Sequence, residues 1–95
     1  MARASEQALA ELRELLRQLR GIKGLTEKSN GIFYWKAHAF VHFHEETREE
    51  GQRAILADIK KVPGSGFDRM SVDTPEQQRK LVDEAKKRVK RLEDD

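Results

Sequence analysis

Two segments with helical apolar spacing bracket a middle whose apolar residues alternate, and each helix has a single stripe to bury. From Ser5 to Arg20, Ala8, Leu9, Leu12, Leu15, Leu16 and Leu19 recur at steps of three and four, which lines one helix face. After Thr74, residues Leu81, Val82, Ala85, Val89 and Leu92 repeat that pattern. The other faces of both segments are dominated by charged residues, so each helix needs one apolar surface to cover. Between them, Ala39 to Glu46 alternates at the two-residue period of a strand. One antiparallel sheet that receives both helices on the same side satisfies all three patterns. The expected fold is α+β in the order α-β-β-β(-β)-α, with two terminal helices packed on one face. At 95 residues the chain has room for one core, so residues 1–95 are read as a single domain.

Local signals place the elements. Ser5 is a candidate cap for the first helix, and Gly21 follows the basic last turn of Arg17 and Arg20 as its stop. Gly24, Ser29, Asn30 and Gly31 read as an exposed connection. Ile32-Phe33-Tyr34-Trp35-Lys36 holds three of the six aromatic residues and suits a half-buried strand. A reversal at Lys36-Ala37-His38 would pair it with Ala39–Glu46, although one long continuous strand fits the residues as well. A polar loop spans Glu45 to Arg53, Ala54–Lys60 is the next strand, Pro63-Gly64-Ser65-Gly66 is a turn, and Phe67–Val72 a short edge strand. Thr74-Pro75-Glu76-Gln77 supplies a capping hydroxyl, a proline at the first helical position and a glutamine at the third.

Composition limits the functions open to such a chain. Apolar residues make up 37% and charged residues 38%, so the core is thin and the surface ionic. Nineteen lysines and arginines against seventeen acidic residues leave a net charge of +2, which by itself argues for no polyanionic partner. There is no cysteine, which excludes disulfides and zinc–thiolate sites. The first residues have no apolar run of a secretory signal, and no stretch reaches the eighteen or so apolar residues of a membrane span, so a cytoplasmic protein without a membrane partner is expected.

All three histidines fall within seven residues, at His38, His42 and His44. With strict alternation from Ala39, the residues Phe33, Trp35, Ala39, Val41, Phe43, Ile55, Ala57 and Ile59 face the core. Tyr34, Phe40, His42, His44, Asp58 and Lys60 then line the opposite face, with no third helix to cover it. That binding face, carried by Tyr34, Phe40, His42, His44 and Asp58, is the expected working surface. The leading expectation is a small non-enzymatic binding or assembly domain without a cofactor, of unidentified small-molecule ligand, forming a homodimer through this face, as Tyr34 and Phe40 leave water, or through a sheet edge.

Two alternatives use the same residues. Two imidazoles two apart on one strand face can ligate one divalent transition metal, with Glu45, Glu46 or Asp58 adding an oxygen, which suits zinc, iron, nickel or copper. A histidine beside Asp58 or Glu45 could instead be tuned for acid–base chemistry. Nucleic-acid binding is open but less favoured: seven basic residues on the last helix are interleaved with Glu76, Asp83, Glu84 and Glu93, which makes ion pairs such as Asp83 with Lys87.

The segments Ile32-Phe33-Tyr34-Trp35-Lys36, Ala39-Phe40-Val41-His42-Phe43-His44-Glu45, Ala57-Asp58-Ile59-Lys60 and Asp73-Thr74-Pro75 together resemble small uncharacterised bacterial α+β proteins with an Ala-Phe-x-His-Phe-His strand. The layout of strands and closing helix is also similar to the DNA-binding-like domains called MmcQ/YjbR. Both likenesses imply a compact bacterial α+β domain, and neither implies an activity or a catalytic residue.

Overall fold

The structure, a computed structural model, describes residues 2–94. Its first helical stripe is cut in two, α1 (Glu6–Glu11) and α2 (Arg13–Arg20), at Leu12, whose φ of −99° and ψ of 17° leave the helical range. The break costs the core nothing, because Leu12 is itself 1% exposed. Ser5 caps α1, its Oγ accepting the Ala8 N–H at 3.2 Å. The last helix, α3 (Pro75–Asp94), opens with the expected reciprocal cap. Thr74 Oγ1 accepts from Gln77 N at 3.1 Å, and Gln77 Oε1 accepts from Thr74 N at 3.2 Å and from Asp73 N at 2.9 Å. The ion pair expected of Asp83 and Lys87 is made one residue further on, by Glu84 and Arg88 at 3.0 Å. Arg88 faces the sheet, where it also reaches Asp68 at 3.0 Å and donates to the Lys60 carbonyl at 2.8 Å.

Five antiparallel strands lie in the order β2 (Leu25–Ser29), β3 (Ile32–Trp35), β4 (His38–Thr47), β5 (Arg53–Lys60) and β6 (Phe67–Ser71). A two-residue strand, β1 (Ala2–Arg3), pairs with the far half of β4, with Arg3 opposite His44. Neither β1 nor β2 is foreseen from the sequence. Where an exposed connection is expected, Leu25–Ser29 forms the edge of the sheet. Its one large apolar residue, Leu25, gives no alternation to detect. The turn joining it to β3 carries an Asn30-Gly31 pair, a hairpin signal in its own right. Gly31 has φ of +79°, and a Cβ there would stand 2.7 Å from Leu9 Cδ2, so the turn and the close approach of α1 both call for glycine.

The strand-or-hairpin alternative resolves as a hairpin: Trp35 pairs with His38 across Lys36 and Ala37, with Lys36 at φ of 55°. Between β3 and β4 the register then slips. Phe33 opposes Val41 while Tyr34 opposes Ala39, which leaves Phe40 as an extra residue in a β-bulge. Alternation is broken at that point, and two sequence assignments exchange places. Phe40, expected on the open face, is 0% exposed in the core. Ala39, expected in the core, is half-buried and pairs with Tyr34.

Beyond the bulge the expected parity holds. Val41 pairs with Ile59 and Phe43 with Ala57, and these join Phe33, Ile55 and the stripes of all three helices in one buried cluster. Trp35 packs on its margin, half-buried, near the end of α3. The helices therefore cover one side of the sheet and leave the side of His42, His44 and Asp58 without a helical layer. Among the described residues no helix is long and apolar enough to cross a membrane.

Candidate metal centre

His42 and His44 sit on β4, directly across from Asp58 and Leu56 of β5, and Asp58 is in turn across from Arg69 of β6. Paired residues in a sheet share a face, so a carboxylate, two imidazoles and a guanidinium meet on three adjacent strands. His44 Nε2 lies 2.9 Å from Asp58 Oδ2 and 2.9 Å from His42 Nδ1, while His42 Nδ1 and Asp58 Oδ2 are 4.0 Å apart. Arg69 grips the carboxylate with two donors, Nε to Oδ1 at 3.0 Å and Nη2 to Oδ2 at 3.3 Å. The exposed ring of Phe67 stands edge-on to His42, with ring centres 4.9 Å apart. Asp58 is 8% exposed although no helix lies above it, because these side chains close over it.

Proton counting at His44 Nε2 limits how its two short contacts can be served. A ring nitrogen carries at most one hydrogen, which it can direct along one of its two short contacts. Protonated, Nε2 serves Asp58 and leaves the His42 contact without a proton. Deprotonated, it accepts from His42 Nδ1–H and meets the carboxylate lone pair to lone pair. A cation among the three atoms would accept a lone pair from each.

Burial pushes the His42 pKa down from its ordinary value; Asp58 opposes this, and the positive potentials of His44, Arg3 and Arg69 add to it. For Asp58, burial acts to raise the pKa, but the Arg69 hydrogen bonds and charge, with His44 and His42, outweigh burial and hold it below the usual carboxylate value. The two shifts act in different pH windows. A His42 that prefers to be neutral when folded contributes stability above the unfolded imidazole pKa of about 6.5, and that contribution is lost as pH falls through this value toward the lower folded one. Asp58 adds its own loss only below about 4, through the carboxylate range. Urea unfolding is therefore expected to show a lower midpoint at pH 5.5 than at pH 7.5, and His42→Gln is expected to shrink that difference. An unchanged difference in the variant would assign the acid sensitivity elsewhere.

The remaining predicted site residues lie apart from this cluster. Tyr34 is half-buried on the same face but belongs with Ala39, beyond the bulge, and has the Lys28 ammonium 4.8 Å from its ring centre. Phe40 is in the core, and so offers no surface to a second copy. Phe67, 41% exposed, is the large apolar side chain that the face does present. His38 is exposed at the start of β4 opposite Trp35, and is not among the grouped ligands. Glu45 points to the helical side, where it accepts from Ser5 Oγ at 2.8 Å and from Arg53 at 3.4 Å. Glu46 stays on the open side and lies 4.0 Å from Arg48. The sequence offers Asp58 as one oxygen donor of three, and the register selects it. Arg69, Phe67 and Arg3 are missed, because their place beside the histidines depends on pairings that no local pattern carries.

His42, His44 and Asp58 each offer one ligand atom, all within 4.8 Å of one another. The main clefts of the surface involve helix residues and include none of these three, the largest of them, about 500 Å³, lying between Ile22 and Val89. A flat face with convergent donors suits an ion better than an enveloped organic molecule. No protein-family model matches this chain, and comparison with curated proteins and with solved structures returned no match.

Proposed function

We propose that this protein is a small metal-binding domain whose open sheet face holds one divalent transition-metal ion through His42 Nδ1, His44 Nε2 and Asp58 Oδ2. The observation that carries the reading is the pair of 2.9 Å contacts at His44 Nε2, which one proton serves only as a bent three-centre bond and one cation serves directly. The separations also favour particular ions. With metal–ligand bonds of about 2.1 Å, donors 2.9 Å apart subtend roughly 90°, donors 4.0 Å apart roughly 145°, and a tetrahedral site would need about 3.4 Å throughout. Two right angles and one wide angle belong to a tetragonal site, the preference of nickel(II) and copper(II), and not to tetrahedral zinc. Arg69 supports the site by fixing the carboxylate, as partners of metal ligands commonly do.

The test is titration calorimetry of chelator-stripped protein, produced without a histidine tag, with Ni²⁺ and Zn²⁺ at pH 7.5. One Ni²⁺ per chain is expected, bound more tightly than Zn²⁺ and lost in the double variant His42→Ala, His44→Ala. Absence of stoichiometric Ni²⁺, or equal binding by the double variant, would overturn the reading.

A further inference from the structure

We propose that the ion at His42, His44 and Asp58 takes a small oxyanion, a carboxylate or a phosphate group, as its exogenous ligand, bridging the metal to the guanidinium of Arg3. The inference rests on the metal reading above and names what completes that site.

Coordination provides the first reason. Three protein donors leave positions of a tetragonal or octahedral ion unfilled. They lie on the side of the sheet that the helices do not cover, so a ligand from solution can reach them.

Charge provides the second. The histidines bind metal as neutral rings, and Asp58 is the one anion among the three ligands. Its carboxylate is already shared with Arg69, whose side chain is 47% exposed and uses Nε and Nη2 of its five N–H donors there. Arg3 is opposite His44 in the β1–β4 register, on the face of the ligands, and its charge reaches His42. Among the described residues Arg3 makes no ion pair. Lys60, half-buried across from Phe67, adds a further cation to this face. The nearby carboxylate on β4, Glu46, lies 4.0 Å from Arg48 and its charge also acts on Arg69, so one carboxylate there offsets part of two guanidinium charges. A divalent ion placed in this setting leaves positive charge uncompensated, and an anion bound to the metal removes it.

Shape supplies the third. Phe67 forms an apolar margin beside His42, and among the described residues the main clefts are lined in part by helix residues and include none of the three ligands, so the recognised part of the ligand is a compact group and not an enclosed molecule. A planar guanidinium presents paired donors to carboxylate and phosphate alike, which is the chemistry the two candidates share.

Ni²⁺-loaded protein would be titrated by calorimetry with inorganic phosphate and, separately, with malonate, beside the same titrations of the metal-free protein. Saturable binding to the loaded protein and none to the metal-free protein is expected, with Arg3→Gln weakening the anion about tenfold while one Ni²⁺ per chain still loads. Binding of phosphate alone would assign a phosphate group, binding of malonate alone a carboxylate, and binding of both a general oxyanion site; each supports the proposal. If neither anion perturbs a fully loaded site, or if Arg3→Gln binds as tightly as the parent chain, the anion proposal fails and the metal reading stands. Failure of Ni²⁺ to load at all would instead remove the metal reading.

Discussion

Phe40→Ala is expected to lower the stability of the fold by about 3–5 kcal/mol, the range for deleting a fully buried aromatic side chain. For a domain of this length each kcal/mol corresponds to roughly 4–8 °C in Tm, so a drop of more than about 12 °C in a thermal melt is the expected reading. The size of the effect follows from placement alone. Phe40 is 0% exposed and packed in the cluster with Phe33, Val41 and the helical stripes. Strict alternation would have it on the open face, where truncation of a surface side chain changes stability by no more than about 0.5 kcal/mol. The bulge between β3 and β4 makes the difference, because it adds one residue to β4 and turns Phe40 toward the helices. A melt within a few degrees of the parent protein would return Phe40 to the surface and remove the bulge from the description.

His44→Ala is expected to weaken Ni²⁺ binding more than a hundredfold. Loss of residues that merely orient a ligand already reduces metal affinity by about 10–100-fold, and in the proposed site His44 would supply a ligand atom itself. Its Nε2 is the donor within 2.9 Å of both others; without it, His42 Nδ1 and Asp58 Oδ2 remain 4.0 Å apart and hold two corners of a site. His38→Ala serves as the comparison, since His38 lies at the turn opposite Trp35 and outside the ligand group. Calorimetry of the two variants decides the matter: equal losses would mean that nickel is taken up by histidines in general, and a loss of less than about threefold in His44→Ala would remove this residue from the site.

The two amphipathic helical segments with their caps and the strands β3, β4 and β5 were determined by the sequence by itself, whereas the break at Leu12 and the reversal at Lys36-Ala37 were not. Capping boxes and apolar stripes act between residues three or four apart, as Thr74 and Gln77 do, and alternation acts between residues two apart. Such interactions are complete within a short window, so the residues state them directly. The neighbourhood of His42 and His44 was legible for the same reason, both residues lying on one strand at a spacing of two.

Tertiary structure alone decided which partners those histidines meet. Asp58 comes from the next strand and Arg69 from the one beyond, and both are placed by register. Register depends on turn length, bulges and the fit of the whole apolar face, and a slip of one residue moves every side chain to the other side. Glu45, adjacent to His44 in sequence, therefore bonds Ser5 and Arg53 on the helical side, while Asp58, fourteen residues away by numbering, faces the imidazoles. The pairing of β1, and the extent of β2 beyond the Asn30-Gly31 turn that signals it, were decided the same way. Their stability comes from backbone bonds to a neighbouring strand, and a backbone bond leaves no mark on side-chain pattern.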